Sequence, residues 1–133
     1  MEQTREAVLQ INPSAQITSL AGDVSDEKFV TAFTEQATST FKRLDYAVNS
    51  AGILGEALRS HETGVDVFDK INKVNYRGSW LVARAALGWM VSQEPLPEHP
   101  GQRGAIVNVA SQLGIVARPG AGTSCYKPTK NQS

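Results

Sequence analysis

The chain has 133 residues, 41% of them hydrophobic, and thirteen basic residues balance thirteen acidic ones. That length suits one domain with one modest core, and the even charge leaves no electrostatic footprint for nucleic acid or an anionic membrane. The single cysteine, Cys125, excludes an internal disulfide. The polar start Met1-Glu2-Gln3-Thr4-Arg5-Glu6 holds no apolar signal core, so the expected compartment is the cytoplasm. The longest mainly apolar run, from about Trp80 to Val91, is interrupted by Arg84 and falls short of the ~20 residues that a bilayer span requires.

In chain order, Glu2 to Leu9 is built of good helix formers and stops before Asn12-Pro13. Ala15 to Gly22 carries β-branched residues with partial alternation and reads as a strand that delivers Asp23 to its end. Ser25-Asp26-Glu27-Lys28 opens a second helix, with Ser25 as N-cap and acidic residues in the first turn. That helix reaches about Lys42. Leu44 to Asn49 is a short strand of buried type, followed by Ser50-Ala51-Gly52.

From about Gly64 to Gln93, Phe68, Ile71, Gly78, Val82, Ala85 and Trp89 recur at helical spacing with Asn75 in the same stripe, which predicts one long amphipathic helix. Pro95, Pro97 and Pro100 make Glu94 to Gly104 an exposed loop. Ala105 to Ala110 is almost continuously hydrophobic, as expected of a parallel strand covered on both faces, and Ser111 sits at its end. The glycine-rich stretch from Gln112 to Thr123 is a loop. Tyr126 and Lys130 then lie four apart, a spacing that puts them on one helix face, where an ammonium lowers the pKa of a phenol. Pro128 confines that helix to a start near Tyr126 and to about two turns.

Alternating helices and strands predict an α/β fold with a parallel sheet, in which ligands bind beyond the carboxyl ends of the strands. Asp23, Asn49 and Ser111 each follow a strand and are candidates for one crevice, although each alone reads equally well as a turn residue. His61 and His99 lie in polar surroundings and read as solvated loop positions. No metal-ligand spacing occurs. Cys125 reads as a small filler, and Asn131-Gln132-Ser133 as a chance sequon.

Five pieces in order, Asp23-Val24, Asn49-Ser50-Ala51-Gly52, Val74-Asn75-Tyr76-Arg77-Gly78, Ile106-Val107-Asn108-Val109-Ala110-Ser111 and Tyr126-Lys127-Pro128-Thr129-Lys130, resemble the short-chain dehydrogenase/reductase family. The resemblance implies an incomplete Rossmann-like doubly wound parallel sheet over residues 1–133, with three strands and crossover helices. It also implies an oxidoreductase that moves hydride between NAD or NADP and an alcohol or ketone. By resemblance Ser111, Tyr126, Lys130 and Asn75 are catalytic. Ser111 binds the substrate oxygen, Tyr126 exchanges the proton, Lys130 holds the nicotinamide ribose and tunes the tyrosine, and Asn75 holds a helix distortion and a relay water. Asp23 and Val24 meet the adenine, and Asn49, Ala51 and Gly52 line the cofactor, with Ser50 where a second asparagine is often found. The family's glycine-rich pyrophosphate turn is absent, so the chain is expected to be truncated, without the first two strands and the C-terminal ones. The alternative expectation is a non-catalytic protein that pairs with a full-length relative or forms a homo-oligomer.

Overall fold

A computed structural model describes residues 2–55 and 58–111. The first helix, α1 (Glu2–Ile11), buries none of its residues. It stops where Pro13 removes a backbone donor and the Asn12 side chain accepts from both the Ser14 N–H (3.1 Å) and the Ser14 hydroxyl (2.8 Å). The strand expected over 15–22 does not form. A strand exists only as a partner in a ladder, and among the described residues this segment has none: it is held by Arg5 donating to the Ile17 carbonyl and by Gln36 donating to the Thr18 hydroxyl.

Helix α2 (Glu27–Phe41) is capped by Asp26, whose carboxylate accepts from the Lys28 N–H at 2.9 Å, rather than by Ser25. Ser25 is instead folded into a turn with Asp23 and buried. At the other end Lys42 adopts a left-handed conformation (φ 67°) and returns its N–H to the Thr38 carbonyl. The inward face carries Val30, Thr34 and Thr38, one turn apart. Burying threonine costs little here because each hydroxyl donates to the carbonyl four residues earlier, at 2.8 and 2.9 Å.

The sheet consists of β1 (Tyr46–Asn49) and β2 (Ala105–Asn108), parallel, with Tyr46 opposite Ala105 and Asn49 opposite Asn108. It has two strands instead of three among the described residues, and both are shorter than the expected runs. The link between them is a helical crossover, as a parallel pair requires. The expected single helix over 64–93 is in fact α3 (Val65–Asn72), a π-helical turn (Lys73–Gly78) and α4 (Ser79–Met90). The wider turn re-aims the apolar stripe: Ile71, Gly78, Leu81, Ala86 and Met90 are buried and Val82 and Ala85 half-buried, while Phe68 and Trp89 remain 49% and 43% exposed.

Helices α2 and α4 pack together, and α4 covers the sheet face that carries Ala47, Asn49, Ile106 and Asn108. Gln93 fastens the entry to β1 by accepting from the Leu44 N–H (3.1 Å) and donating to the Leu44 carbonyl (3.0 Å). The proline-rich segment after it is a loop, closed by the Leu96 N–H on the Gln102 carbonyl at 2.7 Å. Among the described residues every buried side-chain polar atom has a partner, and no helix is long and apolar enough to cross a membrane.

Candidate functional site

Both strands end at one level, so their carboxyl ends carry Asn49 and Asn108 side by side. Asn49 is buried, and its amide donates to the Ser79 hydroxyl at 2.8 Å and, more weakly, to the Asn108 side-chain oxygen at 3.4 Å. The Ser79 hydroxyl in turn donates to the Asn75 main-chain carbonyl at 2.7 Å. A serine hydroxyl has one proton to give and lone pairs to accept with. Ser79 therefore links the end of β1 to the π-helical turn.

The Asn75 side chain pairs with the peptide of Ile53 as a backbone would: its oxygen accepts from the Ile53 N–H (2.8 Å) and its nitrogen donates to the Ile53 carbonyl (2.9 Å). This fixes the loop that leaves β1, where Ala51 and Gly52 are exposed towards the crevice. A Cβ on Gly52 would sit 3.5 Å from the Asn75 oxygen, an ordinary contact.

The other wall is the turn 22–26. Asp23 accepts from the Ser25 N–H at 2.8 Å, and this backbone hydrogen bond is the main cause that lowers the Asp23 pKa, followed by the Ser25 hydroxyl and, more weakly, the charge of Lys73. The carboxylate is thus held ionised. Val24 lies against Gly78: a Cβ there would come within 3.0 Å of a Val24 methyl and 3.3 Å of its carbonyl oxygen, so a larger residue would push the wall back by a few tenths of an ångström. Arg77 donates to the Ser25 carbonyl at 2.6 Å.

The structure places Val24, Asn49 and Ala51 along one cavity, ties Asn75 to the loop after Gly52 through Ile53 and Asp23 to the turn that carries Val24, and leaves Ser111 exposed just beyond β2. Tyr126 and Lys130, like Cys125, lie outside the described residues. Sequence reasoning gave no role to Arg77, Ser79 or Asn108, although Arg77 and Asn108 stand within the pieces that carry the resemblance. Arg77 and Ser79 were hidden in the amphipathic run, and their only signal is polarity beside the small Gly78. His61 is an exposed neighbour of Glu62, 3.8 Å away, and His99 lies in the 94–104 loop.

Comparison with known proteins gives this geometry its context. The family model described as short chain dehydrogenase matches residues 1–132, and the chain belongs to the short-chain dehydrogenase/reductase family. A short-chain dehydrogenase, srdC, of Neurospora crassa is 40% identical over 110 residues, covering 77% of this chain and 40% of the relative. The 2-(R)-hydroxypropyl-CoM dehydrogenase of Xanthobacter autotrophicus is 41% identical over 110 residues, covering 81% and 40%. Among solved structures, levodione reductase superimposes with a TM-score of 0.80 at 32% identity, over 90% of this chain and 43% of that one. The chain thus spans about 40% of the length of the curated relatives it matches. The Rossmann-type α/β class expected from the sequence stands, with the strand count corrected as above.

Proposed function

We propose that the chain belongs to an NAD(P)-dependent oxidoreductase that interconverts an alcohol and a ketone. The observation that carries this reading is that the 22–26 turn and the 49–53 loop are both tied to one π-helical turn and the start of α4 beside the ends of β1 and β2. The residues present fit the cofactor. The ionised Asp23 is an acceptor for the exocyclic amine of an adenine, and the exposed Ala51-Gly52 backbone beside Asn49 permits close approach of a flat ring. Kinship supports the same reading, since a xylitol dehydrogenase solved with NAD+ bound superimposes at a TM-score of 0.77 with 25% identity, over 92% of this chain and 45% of that one.

When bound, the nicotinamide supplies or accepts the hydride. The chain's own part is position, one proton and hydrogen bonds to developing charge on the substrate oxygen. We assign the hydrogen bond to Ser111, the proton to Tyr126 as general acid or base, and the tuning of that phenol to the Lys130 ammonium. Asn75 keeps the cofactor-side loop in place through Ile53. We assign the protein to the cytoplasm, with a small alcohol or ketone as substrate.

The test is a chimera in which these residues replace the matching part of levodione reductase. It should turn over with NADH or NADPH, and Tyr126→Phe should lower turnover by roughly two to four orders of magnitude. Undiminished turnover in that variant would overturn the assignment of the proton donor.

A second reading has its own observation. Tyr46, Val48, Val107 and Val109 are 55–68% exposed on the sheet face opposite α4, where parallel sheets are ordinarily covered. A non-catalytic chain that covers this face with a full-length relative would co-purify with that relative at fixed stoichiometry and leave its turnover unchanged.

A further inference from the structure

The end of the π-helical turn and the first residue of α4 together touch both walls, through Asn75, Arg77, Gly78 and Ser79. Asn75 pairs with Ile53, Arg77 donates to the Ser25 carbonyl, Gly78 abuts Val24, and Ser79 joins the buried Asn49 to the Asn75 carbonyl. The partners are distant in sequence: Ile53 is 22 residues from Asn75, Asn49 is 30 from Ser79 and Ser25 is 52 from Arg77. A regular α-helix has no reason to wind wider here. In a π-turn, backbone groups are displaced from their i→i+4 partners and must be satisfied elsewhere. The Asn75 carbonyl accepts from the Ser79 hydroxyl at 2.7 Å.

We propose that Arg77 and Ser79 are positioning residues, and that the π-helical turn is a bracket setting the 22–26 wall and the 49–53 wall in register with each other. Arg77 holds the first wall. Its guanidinium takes the carbonyl that leaves the Asp23–Ser25 turn, whose Ser25 N–H is already engaged by the Asp23 carboxylate at 2.8 Å. Ser79 holds the second wall, since loss of its hydroxyl leaves the Asn49 side-chain nitrogen with the 3.4 Å contact to Asn108 and removes the side-chain donor at the Asn75 carbonyl. Neither residue reaches into the crevice chemistry. In the cofactor reading, on which the purpose of the bracket rests, the two walls are those facing the adenine and the nicotinamide side. Their spacing then determines whether one dinucleotide meets both.

Hydrogen–deuterium exchange by mass spectrometry on the 133-residue chain, without ligand and at one protein concentration, tests the bracket directly. It reads peptides covering 22–26 and 50–54. Ser79→Ala should speed exchange in 50–54 by about fivefold to tenfold, the effect of one lost hydrogen bond, and leave 22–26 unchanged. Arg77→Met should do the reverse. Ser79→Thr and Arg77→Lys, which retain a hydroxyl and a cation, should return the affected segment towards the wild-type rate. The idea is overturned if both segments speed up equally in either variant, if neither responds, or if the wild-type segments show no slowed exchange. The turnover of the chimera tests hydride transfer separately, so an intact exchange pattern beside an inert chimera would remove the cofactor reading and leave the bracket.

Discussion

Asp23 and Asn75 show how much of the crevice depends on single polar atoms. The folded state lowers the Asp23 pKa below its ordinary 3.8, chiefly through the Ser25 N–H and then through the Ser25 hydroxyl. A depressed carboxylate pKa means that folding favours the ionised form. Its stabilisation is complete above the unfolded value of about 3.9 and is lost as pH falls through the lower folded value. Asp23→Asn keeps an oxygen for the Ser25 N–H but cannot titrate. The stability difference between wild type and this variant should therefore be flat above about pH 5 and shrink below about pH 4, as followed by urea unfolding at matched protein concentration. A difference that stays constant down to pH 2.5, roughly 1.4 units under that unfolded value, would show that the turn does not favour the charge. At Asn75 the amide nitrogen is the decisive atom, because Asn75→Asp still accepts from the Ile53 N–H yet turns an anionic oxygen towards the Ile53 carbonyl. Asn75→Ala should cost about 0.5–1.5 kcal/mol. Asn75→Asp should cost at least as much at pH 7 and recover below about pH 4, where the carboxyl can donate again. Identical pH profiles for the two variants would rule out a role for that donor.

At the scale of elements, the π-helical turn is the feature on which the site is built, and Gly78 is its tightest point. Side chains larger than hydrogen there meet the backbone of Val24 as well as its methyl group. Gly78→Val should therefore lower stability by about 1–3 kcal/mol, the usual cost of overpacking, and a thermal midpoint equal to wild type would show that the 22–26 wall yields freely. This turn also marks where the sequence stops being readable. The spacing of Phe68, Ile71, Asn75, Gly78, Val82, Ala85 and Trp89 satisfies an ordinary helix, and what unwinds it is a partner, Ile53, that no local pattern names. The periodicity left only an asparagine in an apolar stripe as a trace, and it was the family resemblance that implied a helix distortion at Asn75. The run 15–22 failed for a related reason: its alternation is strand-like, but a strand is a pairing, and its composition cannot supply a neighbour. The helix cap moved by one residue because both Ser25 and Asp26 are good caps, and the choice was made by the Asp23 turn, which draws Ser25 inward. By contrast β1, β2, α2 and the proline-rich loop were legible. Short hydrophobic runs bounded by breakers, and proline itself, carry their structural consequence locally. Asn49 and Ser111, at and beyond the ends of β1 and β2, could be found for the same reason, whereas Asp23 was reached through a strand that does not form, and Arg77 and Ser79 act on residues 52 and 30 positions away.

For the whole molecule, the sheet decides the behaviour in solution. Register places Tyr46 with Ala105 and Val48 with Val107 on one face, and this face is open: Tyr46, Val48, Val107 and Val109 are 65%, 68%, 55% and 60% exposed. Among the described residues the outer edge of β1 is open as well. The Ala105 N–H reaches the Asp45 carbonyl and the Val109 N–H the Asn49 carbonyl, so odd-numbered residues of β1 bond towards β2, and the backbones of Tyr46 and Val48 point the other way. They point along an apolar cavity of ≈ 570 Å³ between β1, α2 and the 20–24 segment, lined by Leu20, Val24, Phe33 and Ala51 among others. Exposed apolar faces and unpaired strand edges both favour association with another chain. The core on the other side is small, with Val30, Ile71, Leu81, Ala86, Met90 and Leu96 as its buried apolar residues. The 133-residue chain should therefore self-associate at micromolar concentration. Sedimentation velocity should show a mass that rises with concentration, and the thermal midpoint should rise with it, because association stabilises by mass action. Val48→Lys together with Val107→Lys should shift the distribution towards monomer without touching α2 or α4, since both positions face away from the helices. A single monomeric species with a cooperative, concentration-independent transition would show instead that the open face is compatible with a stable monomer, and would remove the physical basis for pairing with a relative.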